Sequence, residues 1–359
     1  MKLFFYQAEC GDATRIQYTG TDKQQHHIFI DAGFERTYQQ VLQGDIRALA
    51  LSKTGIDLFV ISHIHDDHAG GALAYIKAIK NGTIKDVVNQ WAYNPPRGRV
   101  NKTGRLGDGI SDAKSISQGD RIAEYLAAKN KLPLADITND QGCLDIFGLR
   151  VTFLSPDKQS LQNLRTKYAP AKRIPFEHEE LPDISIAKST KRNDYATPLK
   201  DFNLIHADED TSVENRSSIA VLAEYQNKRF LSLADAHSSV VSNSLQRMGY
   251  SKKNPIVCDW VKIAHHGSKG NNLSILYDLI RCDNYVISAN GENKYQLPSK
   301  QCLATIIRGA QRTSSICNLY FTYDTRALRN IFNADGNDIF SELNFAAHFS
   351  KRLFLSFES

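Results

Sequence analysis

The fold of this chain is decided by residues 58–68, which read Leu58-Phe59-Val60-Ile61-Ser62-His63-Ile64-His65-Asp66-Asp67-His68. The first five residues are typical of a buried strand, which we predict over 58–62. Side chains two apart in an extended segment point the same way, so His63 and His65 can bind a single cation. Gly70-Gly71 and helical apolar spacing come next, which predicts a helix after His68. Where the chain turns into that helix, Asp67 and His68 can face a second cation.

The residue types in this stretch favour a metal site over a surface histidine cluster. Imidazole and carboxylate groups are ligands that Zn²⁺ and Mn²⁺ accept. Chance would have to place four such side chains within six residues, between a strand and a helix, to produce the pattern without a metal. We therefore predict metal binding here.

Other segments offer ligands in matching settings. Asp235 follows a predicted strand at 229–233, and His265-His266-Gly267-Ser268 follows one at 257–264. Asp31, at the end of a predicted strand at 28–31, can orient a ligand histidine from behind. An isolated Asp at a strand end is usually a turn or cap residue. Together, at the ends of successive strands, these residues describe one metal-binding edge.

The order of the motifs along residues 3–325 carries a family resemblance. The motifs are Gly11-Asp12-Ala13, Asp31-Ala32-Gly33, His63-x-His65-x-Asp67-His68-x-Gly70-Gly71, Asn215-x-x-Ser218, Ala234-Asp235 and His265-His266-Gly267-Ser268. This order resembles the metallo-β-lactamase superfamily, and within it the hydrolase domain of the ComEC-type competence DNA-uptake channel, here without membrane segments. The resemblance implies an α/β fold, an αββα four-layer sandwich of two mixed sheets flanked by helices.

The resemblance also implies a site with two divalent metal ions, Zn²⁺ or Mn²⁺. His63 and His65 would bind one ion, Asp67, His68 and His266 the other, and Asp235 would bridge them. Asp67 would orient a hydroxide nucleophile formed between the cations. His265 would face the substrate as an acid or a phosphate contact.

Two positions depart from the family pattern. The superfamily commonly has a histidine before the strand that begins near Ser218, as third ligand of the first metal, and this chain has none there. We expect Asn215, Glu214 or His206 to complete that site, or the site to be poor in ligands. The ComEC branch usually has a histidine where this chain has Leu297, so any catalytic help from that position must come from elsewhere.

The predicted activity is hydrolysis of phosphodiester bonds in nucleic acid or a nucleotide. Four cations in a Gly-rich loop at 94–111 could contact phosphates, or could simply be solvated: Arg97, Arg99, Lys102 and Arg105. One alternative is a thioester, lactone or lactam hydrolase on the same centre. Another is a sensing or scaffolding module of a multi-protein system, for example a defence system.

Composition and hydropathy indicate the class of protein. The 359 residues are 42% hydrophobic with a net charge of +5, which suits a globular protein and only weakly favours an anionic partner. No run approaches the ~18 apolar residues of a membrane helix and no signal peptide is apparent, so we expect a cytoplasmic protein. The six scattered cysteines are expected to be reduced thiols.

We expect a hydrolase domain over 1–325 and a C-terminal appendage over 326–359 that packs on it. An insertion at about 165–210 could hold a protein partner. Further strands are predicted at 3–6, 15–18, 143–147, 150–154, 218–225, 285–288, 319–323 and 353–357, and helices at 239–248, 273–281 and 301–308.

Overall fold

The computed structural model describes residues 1–98, 113–169, 193–205, 207–293, 295–314 and 316–358. The strands of its first sheet are β1 (Lys2–Tyr6), β2 (Ala13–Thr19), β3 (Gln25–Ala32), β4 (Ile56–Val60), β5 (Val88–Ala92) and β16 (Phe354–Glu358). They lie in the order β16-β1-β2-β3-β4-β5. The β3–β4 and β4–β5 pairs are parallel and the others antiparallel, so this sheet is mixed.

The second sheet has the order β15-β14-β13-β11-β9-β8-β7-β6 and is parallel from β15 to β9 and antiparallel from there to β6. Its strands are β6 (Leu144–Ile146), β7 (Leu149–Phe153), β8 (Val221–Tyr225), β9 (Lys228–Ser232), β11 (Trp260–Lys262), β13 (Asn284–Ile287), β14 (Cys317–Phe321) and β15 (Phe345–Phe349). A separate parallel pair consists of β10 (Ile256–Val257) and β12 (Ile280–Arg281).

The helices are α1 (Glu35–Thr37), α2 (Gln43–Leu51), α3 (Asp66–Lys80), α4 (Ala113–Ala128), α5 (Lys158–Lys167), α6 (Val213–Arg216), α7 (Ser238–Arg247), α8 (Ser274–Tyr277), α9 (Lys300–Gly309), α10 (Arg326–Arg329) and α11 (Ile339–Glu342). A π-helical turn, Tyr38–Leu42, precedes α2, and 3₁₀ turns occupy Leu199–Asp201, His265–Gly267, Lys269–Asn271 and Asn333–Asp335.

Three apolar layers organise these elements. The inner faces of the two sheets meet in a core that includes Ile30 of β3 and Val221 of β8. The outer face of the first sheet packs on α2, α3 and α4, and the outer face of the second packs on α7 and α9. Two sheets with helices outside each give the four-layer α/β sandwich that the sequence predicted.

Two element predictions were wrong. The strand expected over 257–264 is interrupted at Cys258-Asp259, since β10 pairs with β12 whereas β11 pairs with β9 and β13. The helix expected over 273–281 ends at Tyr277, and Ile280 pairs with Ile256 as a strand. A short apolar run buries its side chains in either conformation, and here the neighbouring strand decides.

The C-terminal segment contributes an edge strand to each sheet. β15 pairs parallel with β14, and β16 pairs antiparallel with β1. Residues from 326 onward, which we expected to pack on the domain as an appendage, therefore extend the hydrogen-bonding of both sheets.

The expected insertion is described in part. Arg165 lies in α5 and pairs with Asp136 at 2.7 Å, and residues 170–192 and 206 lie outside the described part. Asp194 accepts hydrogen bonds from the backbone nitrogens of Lys300 and Gln301 at the start of α9. This anchors the last part of the insertion to the second sheet's helical layer.

Within the described ranges, no helix combines the length and apolar character that a membrane crossing requires. The six cysteines are unpaired.

Candidate metal centre

The predicted ligands come together at one edge of the sandwich. β9 and β11 are parallel neighbours in the second sheet, so the residues that follow them lie side by side, and the residues that follow β4 of the first sheet meet them across the sandwich. α3 begins at Asp66, earlier than predicted, with His65 as its N-cap. Asp67 and His68 therefore lie in the first turn of a helix, where the turn aims both side chains at the strand ends.

The first donor set consists of His63, His65 and Asp235. Nε2 of His63 lies 3.0 Å from Nδ1 of His65. The same Nε2 lies 3.7 Å from Oδ2 of Asp235. One ligand atom from each of the three residues falls within 4.8 Å of the others, which is close enough to hold one cation.

The second donor set surrounds the other oxygen of the same carboxylate. Oδ1 of Asp235 lies 3.2 Å from Nε2 of His68 and 3.7 Å from Nε2 of His266. Oδ2 of Asp67 lies 3.2 Å from Nε2 of His266 and 4.0 Å from Nε2 of His68. Ligands at about 2.0–2.1 Å from a tetrahedral zinc ion are separated by about 3.3 Å. His68, His266 and Asp235 each offer an atom within 4.8 Å of the others, and Asp67 lies beside His266, so a cation could be held here.

Hydrogen bonding also fits a metal at this place. Both carboxylate oxygens of Asp235, and Nε2 of His68 and of His266, are buried without a hydrogen-bond partner. An unsatisfied buried polar atom costs about 1–3 kcal/mol. Four such atoms that face one another are better explained by cations than by packing alone.

Electrostatics make the centre attractive to cations. Burial opposes ionisation of Asp235, but His265, His68 and His266 together hold its pKa well below the usual range. Burial lowers the pKa of His266, but Asp235 and Asp12 outweigh it and raise that pKa to about 9. The pKa of His68 is also raised, against burial, by Asp235, Asp31 and Asp67. Protons and metal ions thus compete for the same atoms.

The pKa of His63 is shifted in the opposite direction from the pKa values of His68 and His266. Burial and the neighbouring His68 and His65 hold its pKa well below the usual value. A neutral imidazole has a lone pair available for a metal without first losing a proton. His63 is accordingly ready to bind a metal ion at neutral pH.

The ligand histidines are oriented from behind by acceptors. Nδ1 of His68 lies 2.7 Å from Oδ2 of Asp31, which also accepts hydrogen bonds from Ser62. Nδ1 of His266 lies 3.1 Å from the carbonyl of Ser288 and 3.3 Å from Oδ1 of Asp12. Such partners fix which nitrogen faces the metal. The role predicted for Asp31 fits this geometry.

Asp12 is a member of the site whose role the sequence left open. It groups with His68, Asp235 and His266 within 4.8 Å, but it approaches the Nδ1 atoms of both histidines. Its carboxylate forms a buried ion pair with Lys262, which holds its pKa at about 2 despite burial. Asp12 therefore supports the ligands from behind. Its place in the Gly11-Asp12-Ala13 motif was the only signal in the sequence.

The loops that carry the ligands have unusual backbone conformations. Asp31, Ala234, His265 and His266 have φ values of 59°, 45°, 44° and 51°. Residues other than glycine rarely adopt this left-handed region, at a cost of about 1–3 kcal/mol each. Close packing adds a further constraint at Gly11, where a Cβ would lie 2.2 Å from the carbonyl oxygen of Asp67.

The three candidates for the third ligand of the first metal differ in whether the side chain is available. Glu214 accepts hydrogen bonds from Lys167, Tyr168 and Ser212, so its carboxylate is already engaged. Asn215 has a buried Oδ1 without a hydrogen-bond partner, and it stays a candidate. His206 lies outside the described residues.

Of the four cations proposed to bind phosphate, the structure describes Arg97. The side chain of Arg97 is 7% exposed, and its Nε lies 3.1 Å from Oδ2 of Asp120. A buried, paired guanidinium does not present its charge to a substrate. Arg99, Lys102 and Arg105 lie outside the described residues.

Two further polar residues, missed in the sequence, surround His265. Oδ1 of Asn271 lies 2.8 Å from Nδ1 of His265. Oδ2 of Asp210 lies 3.7 Å from the same Nδ1 and accepts hydrogen bonds from Asn215 and Asn271. Asp210 belongs to the poorly periodic segment that we assigned to the insertion, so no strand-end position marked it as part of the site.

Comparisons with known proteins agree with this geometry. The model of the metallo-beta-lactamase superfamily matches residues 22–133, which include the motif from His63 to Gly71. Among curated proteins, none matches the sequence.

Three solved structures illustrate the similarity. The metallo-beta-lactamase fold protein YhfI from Bacillus subtilis is 10% identical with a TM-score of 0.40, and all of both chains is covered. A mutant of CmlA beta-hydroxylase is 11% identical with a TM-score of 0.38, covering 100% of this chain and 54% of that chain. A metallo-beta-lactamase with a HARLDQ motif from Cronobacter sakazakii is 11% identical with a TM-score of 0.33, covering 84% of this chain and 91% of that chain.

The sheet order, the matched residues and the donor sets at the strand ends point the same way. The four-layer sandwich is consistent with the metallo-β-lactamase fold, and residues 22–133 match the model of the metallo-β-lactamase superfamily.

Proposed function

We propose that this chain is a dinuclear metal-dependent hydrolase that cleaves phosphodiester bonds of nucleic acid or a nucleotide. The observation that carries the proposal is the position of Asp235. Its Oδ2 faces His63 of one donor set and its Oδ1 faces His68 and His266 of the other. A single buried carboxylate between two imidazole sets is the arrangement that a pair of divalent cations requires.

Two such cations, Zn²⁺ or Mn²⁺, would act as Lewis acids and activate water near neutral pH. Side chains of the protein would hold the two cations and contact the substrate. The side chains of His63, His68, Asp235 and His266 are at most 2% exposed, so they would hold the metal ions and do not meet the substrate. Asp67 and His265 are more accessible, each 22% exposed. The substrate therefore approaches from their side.

Asp67 and His265 take the catalytic roles in this proposal. The carboxylate of Asp67 orients the attacking water by accepting its hydrogen bond. The imidazole of His265 delivers a proton to the leaving oxygen, or contacts the phosphoryl oxygens. Both side chains lie on the open side of the centre, where such contacts are possible.

The phosphodiester assignment is supported by chemistry and by charge. Paired cations clamp the attacking and leaving oxygens of an in-line displacement, which is the geometry of phosphoryl transfer. The chain's net charge of +5 weakly favours an anionic substrate. The insertion at about 165–210 is proposed to hold a protein partner.

The experiment has two arms. Zinc and manganese binding is measured by calorimetry for the parent, His63→Ala, His266→Ala and Asp235→Asn. We expect two ions in the parent, loss of different ions in the two histidine variants, and weakening of both in Asp235→Asn. Turnover is then measured on bis-p-nitrophenyl phosphate, single-stranded DNA, RNA and cyclic dinucleotides, beside a panel of thioester, lactone and lactam substrates.

Cleavage of the phosphodiesters by the parent, and its loss in Asp67→Ala, would support the proposal. Cleavage of the acyl substrates alone would replace the substrate class while keeping the metal centre. Metal binding without turnover on either panel would favour a sensing or scaffolding module.

A further inference from the structure

His265 is surrounded by a buried polar cluster, and two of its members, Asp210 and Asn271, are not among the candidate metal ligands. The cluster consists of Asp210, Asn215 and Asn271. Asn271 is fully buried, Asn215 is 3% exposed, and Asp210 is half-buried. Asp210 reaches this position because its backbone nitrogen donates to the carbonyl of Gly270, which ties the end of the insertion to the loop after His265-His266.

The orientation of the Asn271 amide is determined by its neighbours. Its Nδ2 lies 3.1 Å from Oδ2 of Asp210 and 3.0 Å from the carbonyl oxygen of Asp235. Both of these atoms only accept hydrogen bonds, so the nitrogen of the amide must face them. The remaining atom, Oδ1, then lies 2.8 Å from Nδ1 of His265 as an acceptor.

An acceptor at Nδ1 fixes the tautomer of His265. Nδ2 of Asn215 lies 3.3 Å from the same Nδ1, but it donates to Oδ2 of Asp210 at 2.6 Å, so the shorter contact of Nδ1 with Asn271 decides. Nδ1 must carry the proton that it donates to Asn271, which leaves Nε2 unprotonated in the neutral ring. Nε2 is the atom that faces the metal centre, 3.6 Å from Oδ2 of Asp235. The cluster thus makes Nε2 the nitrogen that takes up a proton and, from the imidazolium, delivers it to the leaving oxygen, while the Nδ1 proton stays in its hydrogen bond to Asn271.

We propose that Asn271 and Asp210 are positioning residues that hold His265 as the Nδ1–H tautomer with Nε2 toward the centre. The proposal rests on the proposed function for the catalytic use of His265, but the tautomer itself is a property of the folded protein. It also gives the end of the insertion a role, since Asp210 orients Asn271, and Asn271 orients His265.

The arrangement predicts graded effects. Asn271→Ala removes the acceptor directly, and Asp210→Ala removes the group that fixes the amide. Asp210→Asn keeps an oxygen acceptor of nearly the same shape and should rescue the tautomer. Asp208→Ala, an exposed carboxylate two residues away, removes the same charge without touching the cluster and serves as the matched control.

The test is histidine ¹⁵N NMR on the zinc-loaded full chain, with signals assigned by His265→Gln. We expect a protonated Nδ1 and an unprotonated Nε2 for His265 in the parent, Asp208→Ala and Asp210→Asn. Asn271→Ala and Asp210→Ala should shift His265 toward the Nε2–H tautomer. A parent with Nε2–H, or a spectrum of His265 that does not change in Asn271→Ala, would overturn the proposal.

Hydrolysis of bis-p-nitrophenyl phosphate is measured on the same samples. Loss of such supporting partners typically costs about 10–100-fold, and here we expect it in kcat with little change in KM. If the tautomer shifts as expected but no sample hydrolyses any substrate, the positioning proposal stands and the proposed function fails. If the parent is active and Asn271→Ala retains full kcat with a shifted tautomer, His265 does not use the nitrogen that we assign.

Discussion

His68 contacts one carboxylate with each of its ring nitrogens. Nδ1 lies 2.7 Å from Oδ2 of Asp31, and Nε2 lies 3.2 Å from Oδ1 of Asp235. Asp31 is fully buried and also accepts hydrogen bonds from the backbone nitrogen and hydroxyl of Ser62. This carboxylate therefore links the end of β3 to the ligand-bearing turn after β4, and the orientation of His68 depends on it.

Replacing Asp31 should weaken metal binding although Asp31 is behind the ligands. In Asp31→Asn, one acceptor oxygen becomes a donor, and His68 loses the partner that orients its ring. We expect a 10–100-fold loss of zinc affinity at the second donor set, measured by competition with a chromophoric chelator. Asp201→Ala, an exposed carboxylate far from the ligand motifs, is the control. Unchanged affinity in Asp31→Asn would contradict this role.

The ion pair of Asp12 and Lys262 should matter for stability. Both side chains are at most 4% exposed. Lys262→Met removes the main cationic partner of the buried Asp12 carboxylate, and breaking a buried ion pair in this way typically costs about 3–5 kcal/mol. We expect a loss of that size in the free energy of unfolding, measured in urea. The double variant Asp12→Asn, Lys262→Met should recover much of it, and an equal loss in both variants would argue against a charge effect.

The metal-free protein should lose stability as the solution becomes alkaline. The pKa of His266 in the folded protein, about 9, lies above the ordinary value of 6.5. Its protonated form therefore stabilises the fold fully below about pH 6.5, and this stabilisation is lost as the pH rises through about 9. We expect the Tm of chelator-treated protein to fall between pH 7 and 9.5. Zinc-loaded protein should not show this fall, since the cation replaces the proton, and His266→Asn should reduce it.

A methyl group at Gly71 should disrupt the contact between α3 and β3. A Cβ there would lie 2.1 Å from the carbonyl oxygen of Ala32, which is backbone and cannot move aside. We expect Gly71→Ala to lower stability by several kcal/mol, about the upper end for single substitutions. Gly44→Ala is the matched control, because its Cβ meets nothing within 4 Å in α2. Helix propensity should make that variant more stable by about 0.5–1 kcal/mol. Equal effects of the two variants on the urea midpoint would refute the contact.

The local part of the site follows from the sequence because its spacing is short. Four candidate ligands lie within six residues: His63, His65, Asp67 and His68. The strand before them and the first turn of the helix after them therefore determine where most of their side chains point. The same reasoning located most of the strands. It was wrong where a short apolar run could pack in either conformation. Ile280 is the example, because it is in a strand that pairs at Ile256, 24 positions earlier in the chain.

What the sequence by itself determined is the fold class and which residues are candidate metal ligands, because periodicity and short motifs are local properties. Only the tertiary structure decided which oxygen of Asp235 faces which donor set, that Asp12 is paired with Lys262, and that Asp210 and Asn271 surround His265. These contacts join residues up to 250 positions apart. They arise because loops of the first sheet meet strand ends of the second where the two sheets pack together, and no local pattern records which side chains will meet there.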